Sequence, residues 1–193
     1  MVGHRSSELT RNRSLALLIT ALDREIGTIA WSAVATVRAM SLRFHEISES
    51  RHRILNPFTA EKLQLLGRIC VGNGSAKMLD LCCGKAEMLC MWATQHDVSG
   101  VGVDISEVFL TAARQRVDDL QLGDRIELVQ ADAAKFVIDT DAQFDIVSCI
   151  GATWIGGGLA GTLDLMRPRV KTGGLVVVGE PYWIDLFCHG ITS

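Results

Sequence analysis

The sequence predicts an α/β protein built on a doubly wound, mostly parallel sheet. Two observations carry that expectation. Short apolar runs recur from residue 76 onward, in "KMLDLC", "SGVGVDI", "RIELVQAD", "FDIVSCI" and "GLVVVGE". Helical stretches, "EMLCMWATQ" and "SEVFLTAARQRVDDLQL", stand between the early runs. Continuously apolar strands separated by helices are parallel strands covered on both faces, and five are counted.

The elements follow in chain order. The first 55 residues read as an N-terminal helical extension. Leu15, Leu18, Leu22, Ile26, Ile29, Ala33, Val37 and Met40 recur at spacings of three and four, one face of a long amphipathic helix that Gly27 weakens. That stripe must bury itself on this chain's own core or on a partner. Eight arginines and no lysine precede Asn56, a texture that also fits a transit peptide, although no small-residue cleavage site stands out. After "ILNPF" a shorter helix is expected with Thr59 as its N-cap and Glu61 in its first turn, ended by "VGNGS". The second helix of the alternating region takes Ser106 as N-cap and Gly123 as its stop. Residues 56–183 are read as the ligand-binding domain and residues 184–193 as a tail.

Composition narrows the function. The chain has 193 residues, enough for one substantial core plus an extension. A net charge of -3 with no long basic run gives nucleic acid no electrostatic footprint. No stretch of roughly 18 apolar residues spans a bilayer. The six cysteines lack zinc-site spacing, so free, mostly buried thiols and a cytoplasmic location are expected, with no metal. "FHEIS" lacks the second histidine of a zinc-protease helix, and His45 and His52 are read as solvated. The "NRS" and "NGS" sequons would go unused in such a compartment.

Ligands of an open parallel sheet lie beyond the carboxyl ends of its strands. After the first run comes the tight loop "CCGKAE", and after the second comes Asp104, twenty residues beyond Gly84. Such a loop and carboxylate can hold an adenosyl group, the carboxylate accepting from both ribose hydroxyls. A dinucleotide enzyme is disfavoured, because no second glycine follows Gly84 at the spacing a pyrophosphate requires.

In order, "LDLCCGKAEML", "GVGVDIS", "VQADAAKF", "FDIVSCIGATW" and "VKTGGLVVVGEPYW" resemble the class I S-adenosylmethionine-dependent methyltransferases, which share a Rossmann-like fold. The resemblance is to the small-molecule, ubiquinone-biosynthesis-like branch and covers residues from about 54 to 183. It implies S-adenosylmethionine as cofactor. It gives Asp80 the orientation of the loop and the methionine amino group, gives Gly84 the close backbone passage, and places Cys82 among the cofactor-binding residues. Asp104 would hold the ribose, Ile105 would pack on adenine, and Asp132 with the Ala133 N–H would address the adenine edge. Ile150 and Gly151 would supply backbone contacts to the amino end.

The chain departs from the pattern in two places. Cys82 and Ala86 stand where that family commonly has glycine, which the loop tolerates if the backbone there keeps negative φ. Only ten residues follow Trp183, so the two further strands of the family fold are missing and "LVVVG" becomes an open apolar edge. A C-terminally shortened form is the favoured explanation, with shielding by the N-terminal region or by a partner as the alternatives.

Methyl transfer needs positioning more than covalent chemistry. Trp154, Glu180 and Tyr182, with Trp183, are candidates for an acceptor pocket, against the plainer role of packing helices on the sheet. The function expected is methylation of a small-molecule acceptor. The rival is a shortened, non-catalytic cofactor binder or interaction protein, which associates with itself or a partner through the N-terminal helix or the sheet edge.

Overall fold

The computed structural model describes residues 42–56, 58–137 and 143–180. The amphipathic stripe of residues 15–40, Tyr182, Trp183 and the tail fall outside the described residues.

The elements are α1 (Leu42–Ser48), α2 (Ala60–Cys70), β1 (Ser75–Leu81), α3 (Glu87–Gln95), β2 (Asp97–Asp104), α4 (Glu107–Asp119), β3 (Ile126–Gln130), β4 (Phe144–Ile150), α5 (Leu159–Met166) and β5 (Val170–Gly179). Single 3₁₀ turns at Thr153–Gly156 and Arg167–Arg169 flank α5. The five strands are all parallel, in the order β3-β2-β1-β4-β5. The chain winds outward from β1 to β3, then returns to place β4 against the other side of β1. That reversal opens a crevice between the β1 and β4 ends, where open α/β sheets bind ligands. The doubly wound fold expected from the apolar runs is the fold observed.

Local chemistry explains the boundaries. The Thr59 hydroxyl accepts from the Lys62 N–H at 3.3 Å, and the Ser106 hydroxyl accepts from the Phe109 N–H at 3.2 Å, so both expected N-caps are in place. Alternate residues of β1 enter different cores. Met78 packs with Leu89, Trp92, Ala113 and Ile146, while Leu79 and Leu81 pack with Val103, Phe144, Val147 and Met166. Gly67 of α2 lets the fully buried Trp92 of α3 approach, since a Cβ there would stand 2.9 Å from the indole nitrogen. The indole N–H donates to the Leu63 carbonyl at 2.9 Å and joins the two helices.

The end of α4 corrects the sequence reading. The helix stops at Asp119, and Gln121, not Gly123, takes the left-handed conformation, with φ +55°. The Leu122 N–H reaches back to the Val117 carbonyl at 2.8 Å and closes the turn before Gly123 is reached. At the other extreme of the sheet, the outer edge of β5 has no neighbour among the described residues. No helix among the described residues is long and apolar enough to cross a membrane.

Candidate functional site

The loop after β1 makes three left-handed steps in five residues. Cys82 has φ +59°, Gly84 +55° and Ala86 +52°. The expectation of negative φ at Cys82 and Ala86 is therefore wrong. The backbone keeps the shape glycines favour and carries two side chains through it, at roughly 1 kcal/mol of strain each. Surrounding bonds hold it there: the Cys83 N–H donates to Val103 O at 3.0 Å and the Ala86 N–H to Cys83 O at 2.9 Å.

Two carboxylates face this loop from adjacent strands. Asp80, near the end of β1, is only 4% exposed, and its Oδ1 accepts from the Ser148 hydroxyl of β4 at 2.5 Å. Burial raises its pKa to about 7, the Ser148 bond opposes the rise, and the charge of Asp104 adds to it. Asp104, the last residue of β2, accepts from the Gly84 N–H through Oδ2 and from the Ser106 N–H through Oδ1, both at 2.8 Å. Burial pushes it above the usual carboxylate range, opposed by those N–H groups and by the charge of His45.

The other sequence-derived residues divide by position. Asp80, Cys82, Gly84 and Ile150 line one cavity of about 60 Å³. Cys82 also lies against Cys149, and that neighbouring thiol, with burial, drives its own thiol pKa far upward. The five cysteines among the described residues are free thiols. Gly151, at φ +72°, follows β4, and its N–H donates to Gly179 O at 2.6 Å. Ile105, Asp132 and Ala133 do not border that cavity. Ile105 is 49% exposed beyond β2. Asp132 Oδ1 accepts from its own turn, at the Ala134 N–H, and Lys135 stands 3.3 Å from Oδ2, while Ala133 is buried. Trp154 is 55% exposed in the 3₁₀ turn after β4, and Glu180 Oε1 accepts from the neighbouring Thr153 N–H at 2.7 Å. Those two stand together past β4 and β5.

A set of residues that sequence reading missed covers the loop. Ser106 Oγ donates to Glu46 Oε1 of α1 at 2.6 Å. Buried Lys85 donates from Nζ to the carbonyls of Glu49, Ser50 and His52 at 2.8, 3.1 and 2.6 Å. Buried Glu87, in the first turn of α3, pairs with Arg53 at 2.7 Å and with Arg116 at 2.9 Å. The Asn56 amide donates to Ile150 O at 3.3 Å. His45 is exposed, as expected, but its ring also meets Phe109 edge-on, with centroids 5.3 Å apart. The only sequence signal for this cover was the unexplained charge of Lys85 and Glu87 inside an otherwise apolar stretch.

A family model described as a methyltransferase domain matches residues 78–174. The uncharacterised protein YjhP of Escherichia coli (strain K12) is 43% identical over 144 residues, covering 75% of this chain and 57% of that protein. The demethylmenaquinone methyltransferase of Bacillus subtilis (strain 168) is 36% identical over 120 residues, 58% of this chain and 48% of that one. The chain thus spans about half the length of the curated relatives it matches. A crystal structure of an S-adenosylmethionine-dependent methyltransferase from Thiobacillus denitrificans, in complex with S-adenosyl-L-homocysteine, superposes with a TM-score of 0.71 at 41% identity. It covers 76% of this chain and 58% of that one.

Proposed function

Because the chain belongs to the methyltransferase-domain family, in its class I S-adenosylmethionine-dependent form, we propose that it binds S-adenosylmethionine over the β1 and β2 ends and methylates a small-molecule acceptor. The observation that carries this reading is the pair of buried carboxylates, Asp80 and Asp104, around one left-handed loop. The relative complexed with S-adenosyl-L-homocysteine and the demethylmenaquinone methyltransferase support the choice of cofactor and of acceptor size.

The donor set fits the group. Asp80 and the Ile150 carbonyl, both at the crevice, are acceptors suited to an ammonium. Each Asp104 oxygen holds one N–H and, as a carboxylate oxygen, can accept a second bond from a ribose hydroxyl. Ile105 offers an exposed apolar face for adenine, and Asp132 with the Ala133 N–H offers polar partners for its edge. The cofactor supplies an electrophilic methyl group on a sulfonium. The protein's share is alignment and exclusion of water, worth up to roughly 7–11 kcal/mol in the best intramolecular cases. Trp154 and Glu180 bound the acceptor side, with Tyr182 continuing it in sequence. The described residues 42–56 then act as a cover over the catalytic domain.

Calorimetric titration with S-adenosyl-L-homocysteine tests the reading. Saturable binding to the wild type, weakened about tenfold or more in Asp104→Asn, is expected. Absence of binding at millimolar ligand would sink it. One observation favours a second reading, a cofactor binder without turnover: the outer edge of β5, on the acceptor side, has no neighbour among the described residues. Consumption of S-adenosylmethionine in the presence of mixed metabolites separates the two.

A further inference from the structure

The cofactor reading leaves one charge without a side-chain partner. The amino-acid arm of S-adenosylmethionine carries an ammonium and a carboxylate, and the side chains assigned to the site are acceptors or apolar: Asp80, Asp104, Asp132, Cys82 and Ile105. None presents an N–H to a carboxylate, and a carboxylate facing two aspartates needs donors. The cover described above contains one at the right place.

Residues 53–56 form a strap across the β1 and β4 ends. Leu55 lies on Gly84, where an added Cβ would stand 2.6 Å from Leu55 Cδ1. The Asn56 carboxamide lies on the Cα of Gly151 and donates from Nδ2 to Ile150 O at 3.3 Å. Leu55, Asn56, Asp80, Gly84 and Ile150 line the cavity of about 60 Å³ together with Arg53 and Lys85, whose N–H groups are already held by Glu87 and by three backbone carbonyls; it is far too small for an adenosyl amino acid. An amide N–H on the Ile150 carbonyl uses the acceptor that suits an ammonium. Asn56 is therefore the side chain that must yield there, and its amide is a neutral donor already seated at that carbonyl.

We propose that Asn56 is a cofactor-binding residue: it releases Ile150 O to the ammonium and turns its amide N–H to the carboxylate of the same amino-acid arm, while Leu55 lifts from Gly84. This rests on the proposed cofactor. The movement has little to break, since a 3.3 Å bond from a half-buried amide is weak, whereas Arg53 on Glu87 and Lys85 on the carbonyls of Glu49 and His52 anchor the strap upstream.

Paired titrations with S-adenosyl-L-homocysteine and 5′-methylthioadenosine, which lacks the amino-acid arm, test the assignment. In Asn56→Ala the affinity for S-adenosyl-L-homocysteine is expected to fall about tenfold or more, with 5′-methylthioadenosine changed less than about twofold. Asn56→Asp, isosteric and negatively charged, is expected to weaken the first ligand further and again spare the second. A parallel change for both ligands, or no change for either, overturns the role of Asn56 and leaves the cofactor reading standing. Failure of the wild type to bind either ligand overturns both.

Discussion

The Gly84 N–H donates to Asp104 Oδ2 at 2.8 Å, so the carboxylate that ends β2 also fixes the loop that follows β1. With the Ser106 N–H on Oδ1, one side chain satisfies two buried backbone donors on two neighbouring connections. Asp104 therefore has a structural duty whether or not a ligand is present.

Asp104→Asn replaces one of those acceptors with an amide that faces a donor. We expect a loss of about 1–3 kcal/mol of stability in the ligand-free protein, read as a lower urea midpoint at unchanged slope. An unchanged midpoint would mean that the loop is held by the Cys83 and Ala86 backbone bonds alone.

Asp80 makes stability depend on pH. Its folded pKa, about 7, lies above the ordinary aspartate value of about 4. The native state then binds more protons than the unfolded one between those limits. Stability should fall as pH rises through the window and level off above about 7, by at most about 4 kcal/mol. Asp80→Asn, which keeps an acceptor for Ser148, should flatten that slope in urea titrations between pH 5 and 8. A cationic ligand beside Asp80 favours its ionised form, so ligand affinity should rise over the same range.

Gln121 and Gly123 test the end of α4 in opposite senses. Gln121 is exposed and left-handed, so Gln121→Gly should stabilise the protein by about 1 kcal/mol. Gly123 has open space around its Cα, and Gly123→Ala should stabilise by about 0.5 kcal/mol through the unfolded chain. Thermal melts of both variants, with either one strongly destabilised, would refute the assigned turn.

Much of the fold is visible in the apolar pattern. "FDIVSCI" and "EMLCMWATQ" coincide with β4 and α3 to the residue, because each is a continuous run bounded by polar or loop positions. Thr59 and Ser106 announce their helices because capping is a local interaction. Asp80 and Asp104 can be paired from sequence because a strand, a helix and a strand of known rise separate them. The cover over the loop is not legible, for three physical reasons. Its bonds join residues 29 to 94 apart in the chain. Lys85 binds backbone carbonyls, which every residue type possesses. The left-handed angles at Cys82 and Ala86 come from tertiary bonds that override the local preference of those residues.

The three carbonyls around the Lys85 ammonium set a rule for how this chain can drift. For the Lys85 contact the side chains at positions 49, 50 and 52 do not matter, since none of them supplies the acceptor. An insertion or deletion within that stretch would misalign the oxygens, and arginine at 85 could not point three hydrogens into so compact a nest. Length there is constrained more tightly than identity.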